Sequence, residues 1–131
     1  MTKPPVKLDK PSNTGSGVTV RITKIKSISS KAQLPGEVAG PAVSLTVTVK
    51  NDSAKTLDIG TVVVSLIDSS GAPGNEMTAK PADPLRGTVK SGGTATGVYV
   101  FTVDKDKRNP VSVNITLAGA APVLVFKGDA R

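Results

Sequence analysis

The chain has no cysteine, no histidine and no tryptophan, and its aromatic residues are Tyr99, Phe101 and Phe126. Each absence removes a class of chemistry. Without cysteine there are no disulfides, thiolate metal sites or thiol nucleophiles. Without histidine there is no Ser–His or Cys–His pair, and zinc and copper lose their usual ligands. With so few aromatic rings to stack on bases, and no recognition motif, specific nucleic-acid binding is not expected. No apolar run is long enough to span a bilayer. The longest candidate, "LAGAAPVLVF" at 117–126, is short and broken by Gly119 and Pro122. The N-terminus shows no hydrophobic signal segment, so either the protein is not secreted or such a segment has been removed.

What is present is branched and basic. The 131 residues fit one domain plus a tail. Valine dominates the apolar set, and its branched Cβ suits a pleated, half-buried surface better than a helix. The net charge is +7, from 17 basic and 10 acidic residues. Such a balance favours anionic partners, and it also fits a merely solvated surface. The basic residues cluster mildly at Arg21, Lys24 and Lys26 and at Lys105, Lys107 and Arg108.

Residues 1–17, rich in Pro, Lys, Ser and Gly, read as a flexible linker or tail. An added edge strand using Val6 and Leu8 is the competing reading. From Val18 the pattern has period two. Val18, Val20 and Ile22 share a face, and the alternation then slips to Ile25 and Ile28, which predicts a bulge or bend. Residues 29–41 read as a Pro- and Gly-rich loop. Val43, Leu45, Val47 and Val49 alternate with polar residues, the mark of a strand with one dry face. "TVVVSLID", 61–68, looks apolar on both faces and is expected to be central or covered twice. A short edge strand is expected near Met77, and further strands over 94–103, 111–117 and 123–126. Seven to eight short strands, polar turns and no amphipathic helix predict an all-β, immunoglobulin-like antiparallel sandwich over 18–127, with 128–131 a C-terminal tail.

"VSLTVTVKNDSAKTLDI", "VVVSLIDSSG" and "GTVKSGGTATGVYVFTVDKD" together resemble the telokin-like, immunoglobulin-like domains of unknown function of bacterial extracytoplasmic lipoproteins. The matching positions are Val49 and Asn51, Asp68 and Gly71, Gly92 and Gly93, and Gly97 and Phe101. The resemblance implies a non-enzymatic module outside the cytoplasm, tethered through a low-complexity linker to a lipid or membrane anchor upstream of Thr2. The signal and lipobox cysteine of that pattern are absent from this sequence. The matched residues have structural readings. Asn51 suits a hydrogen-bonded turn and tolerates a left-handed backbone. Gly71 and Gly93 suit positive φ, and Gly97 suits a close approach or bulge.

Little catalytic chemistry remains. Ser lies near Lys in "SISSK" and "NDSAK", but both are loop stretches. A carboxylate pair could serve a hydrolase, yet the acids sit mostly in turns. Asp68, Asp104 and Asp106 offer oxygen ligands for calcium without the bidentate Glu that ends a calcium loop. No cofactor and no metal site is expected, and no enzymatic activity. The expected function is a binding or scaffolding module that recognises a protein or an anionic cell-envelope polymer through loops, an edge strand or the basic clusters. The alternatives are a structural or assembly domain without a ligand of its own, and a carboxylate-dependent hydrolase.

Overall fold

The computed structural model describes residues 5–14, 17–30, 40–60, 62–78, 82–117 and 123–130. The expected loop at 29–41 and the "AGAAP" turn at 118–122 fall largely outside them. Among the described residues the chain forms eleven strands and one 3-10 turn. In chain order the strands are β1 (Val6–Lys7), β2 (Ser12–Asn13), β3 (Val18–Ser30), β4 (Gly40–Asn51), β5 (Leu57–Asp58), β6 (Val63–Ile67), β7 (Asn75–Met77), β8 (Thr88–Val89), β9 (Thr94–Thr102), β10 (Val111–Thr116) and β11 (Leu124–Gly128). The 3-10 turn, Lys105–Lys107, lies between β9 and β10, and the Asn109–Pro110 peptide that follows it is cis.

Two sheets face one another across a shared core. One has the order β1-β11-β10-β6 and the other β2-β3-β4-β9-β7, while β5 and β8 form a small separate ladder. Alternation supplies the core. Val43, Leu45, Val47 and Val49 from β4, with Tyr99 and Phe101 from β9, meet Val113, Ile115, Leu124 and Phe126 from the opposite sheet. Burying each branched side chain contributes about 1.5–3 kcal/mol. The slip after Ile22 is a true register shift in the β3–β4 ladder, between Ile22 and Lys24.

Four expectations change. The segment read as a free tail is part of the sandwich. β1 pairs in parallel with β11, and β2 pairs antiparallel with β3. Leu8 is buried in the main core and Val6 packs against it. A turn closed by the Lys10 N–H donating to the Lys7 carbonyl (3.0 Å) carries the chain from one sheet to the other. At the other end Ala130 is buried and its N–H donates to the Arg108 carbonyl (2.8 Å), so the last described residues also dock.

β6 is an edge strand, not a central one, and Val63 is 61% exposed. The strands covered on both faces are β4 and β9 instead. Ala42, Met77 and Val100 form a second apolar cluster with Ile28 and Ala82, apart from the main core. Gly92, at φ +81°, takes the left-handed position expected of Gly93. Gly93 is instead tightly packed: a Cβ there would lie 3.0 Å from the Lys90 carbonyl oxygen. Gly71 has the expected positive φ, +87°. Gly97 is the expected close approach, because a Cβ would lie 2.7 Å from the Leu85 nitrogen. The Leu85 N–H donates to the Tyr99 hydroxyl (3.1 Å), fixing the irregular segment before β8 against the core. Burial of that hydroxyl pushes the Tyr99 pKa up.

Candidate binding surface

The bulge in β3 borders a concave surface. Thr23 is the extra residue, and its hydroxyl lies 3.4 Å from the Thr46 carbonyl oxygen across the strand pair. Arg21 stands opposite Thr48, Lys24 opposite Thr46 and Lys26 opposite Ser44. Since the β4 partners alternate with the buried Val43, Leu45 and Val47, the three cations share the outer face of the sheet. All three are exposed.

β2 flanks β3 only at Thr19 and Val20. Among the described residues, no strand pairs with the outer edge of β3 beyond that point. A cleft of about 630 Å³ opens there. One wall is Ile22, Thr23, Lys24 and Ile25 of the bulge. The other is Lys7, Leu8 and Asp9 of the turn after β1, with Lys127, Gly128 and Asp129 at the end of β11. The lining combines apolar side chains with three lysines and two aspartates, so positive charge is in excess.

The second basic cluster divides. Lys105 is exposed and Lys107 half-buried, the latter 3.9 Å from the Asp104 carboxylate. An exposed pair of that kind contributes little stability. Arg108 was expected on the surface with them, and it is 3% exposed. Its guanidinium donates to the Val103 carbonyl (2.9 and 3.2 Å), to the Ala42 carbonyl (3.4 Å) and to Ser27 Oγ (2.7 Å). A planar fork of donors suits several acceptors at once. Arg108 is therefore a clamp that ties the 3-10 turn to β3 and β4, and its charge does not face solvent.

The turn residues act structurally. Asn51 is fully buried. Its amide donates to the Lys55 and Val89 carbonyls (2.8 and 3.0 Å), and its side-chain oxygen accepts from the Ser53 N–H (3.0 Å). It does so without a left-handed backbone, since no non-glycine residue among those described has positive φ. Asp68 Oδ1 accepts from the Ser70 hydroxyl and from the N–H groups of Ser70 and Ala72. The Ser70 bond above all holds the Asp68 carboxyl below the usual range, against an opposing effect of desolvation. Glu76, on β7, is shifted the other way by desolvation. Neither acid lines the cleft. Among the described residues no three acidic side chains gather as a metal site would require.

The sequence pointed to Lys24 but not to Lys7, Asp9, Lys127 or Asp129. The one available signal was the Val6-Lys7-Leu8 alternation, too short to separate a strand from a tail.

No protein-family model matches the chain, and no curated protein matches it. Solved structures do, among them two bacterial proteins. The yjhA protein from Bacillus subtilis superposes with a TM-score of 0.74 at 13% identity, over 92% of this chain and 97% of that one. A functionally unknown protein from Listeria monocytogenes gives 0.64 at 15% identity, over 93% and 82%. The likeness is one of fold.

Proposed function

We propose that the protein is a non-enzymatic, immunoglobulin-like recognition module of the telokin-like type, acting outside the cytoplasm on a protein or an anionic envelope polymer. One observation carries this reading. Arg21, Lys24 and Lys26 form a basic row on an exposed strand that opens onto a mixed apolar and basic cleft. A scaffold whose core is satisfied internally leaves its edges and surface charge to make contacts. The electrostatic part is screened by salt, with a Debye length of about 10 Å at 0.1 M and about 3 Å at 1 M. The protein is therefore expected to bind immobilised polyphosphate or polyglutamate at low ionic strength and to elute as salt rises. The triple substitution Arg21→Glu, Lys24→Glu and Lys26→Glu should abolish retention. Retention indifferent to both salt and substitution would overturn this reading.

Val63, exposed on the edge strand β6, favours a second reading as an assembly unit without a ligand. Concentration-dependent self-association that Val63→Lys abolishes would support it.

A further inference from the structure

We propose that the bulged edge of β3 receives an extended peptide as an added strand, with acidic residues alternating with apolar ones. This rests on the recognition role above and names its site and its partner.

The backbone provides the first half of the argument. The Thr14 N–H donates to the Val18 carbonyl (2.9 Å), so Val18 turns its peptide groups toward β2 and away from β4. In an antiparallel ladder, residues two apart share their hydrogen-bonding side. Val20 and Ile22 therefore turn the same way. The register shift then places Ile25 opposite Leu45 and Ser27 opposite Val43, continuing the series in which Ile22 stands opposite Val47. Ile22, Ile25 and Ser27 thus offer peptide groups to an edge on which no described strand lies. Main-chain pairing at such an edge supplies affinity without special side chains.

The side chains supply the second half. Directly opposed cross-strand side chains sit about 4.5–5.5 Å apart. On an added strand, every second residue would lie beside the outer row of Arg21, Lys24 and Lys26, which calls for Asp or Glu. The intervening residues would turn toward the cleft, where Leu8, Ile22 and Ile25 offer apolar contact. The same lysines reject a basic strand, including a second copy of β3, since like charges directly opposed destabilise a pair. Lysines and bulges commonly blunt an edge; here a cleft lies beside the blunted stretch, so the edge selects its occupant by charge.

The test uses the intact protein and a fluorescein-labelled dodecapeptide of alternating glutamate and valine. It is expected to bind and to protect the Ile22 and Ile25 amides from hydrogen exchange. N-methylation of its edge-facing amides, which keeps every charge, should weaken binding at least tenfold. The Lys24→Glu, Lys26→Glu variant should lose the glutamate peptide and gain the lysine–valine counterpart. If the methylated peptide binds equally well, or if polyphosphate binds and the peptide does not, strand addition is wrong while electrostatic recognition stands. If neither peptide nor polymer binds at low salt, both readings fall.

Discussion

Asn51 shows how much one side chain carries in this protein. Its carboxamide fills a buried gap between the 51–55 turn and the end of β8, using both donors and the acceptor. Alanine there leaves the Val89 carbonyl and the Ser53 N–H short of a partner, at a cost of about 1–3 kcal/mol. Urea unfolding of Asn51→Ala should show that loss, and Asn51→Asp should lose more, because an acceptor then faces two carbonyl oxygens. Asp68 acts through charge as well as shape. Its folded pKa is depressed, so its stabilising effect is complete above the unfolded value, about 3.9. That effect is lost as pH falls through the lower folded value. Stability should therefore decline in acid below about pH 4. In Asp68→Asn, which keeps the Oδ1 acceptor, this part of the decline should vanish in a series of melts against pH.

At the scale of elements, the N-terminal segment is the sharpest case. Two-residue strands cannot express a period, so β1 and β2 are invisible to alternation, and a composition of Pro, Lys and Ser reads as linker. What fixes them is Leu8, buried over Gly128, where its side-chain atoms come within 3.4 Å of a Cβ built there. Leu8→Ala should cost about 2–5 kcal/mol in urea unfolding; a free tether would give no change. The long strands were legible because Val43 to Val49 and Val111 to Leu117 repeat every second residue. The position of β6 was not legible. Apolar content on both of its faces suggested a central place, but sheet order is set by partners distant in sequence, and Val63 faces solvent.

Across the whole molecule, the two-layer, valine-rich core follows from period-two patterning and the scarcity of large rings. The cleft does not, because its walls come from residues 7–9, 22–25 and 127–129, brought together only by the closing of the sheets. Arg108 misled for a related reason. A cation in the charged turn "DKDKRNP" looks solvated, and only the convergence of Val103, Ala42 and Ser27 around it explains its burial. The parallel pairing of Val6 with Phe126 and of Lys7 with Lys127 has a mechanical consequence. Both strands run the same way, so tension applied to the two chain ends pulls β1 backward and β11 forward along their common axis. Both residue pairs then bear the load together in shear, rather than peeling apart one after the other.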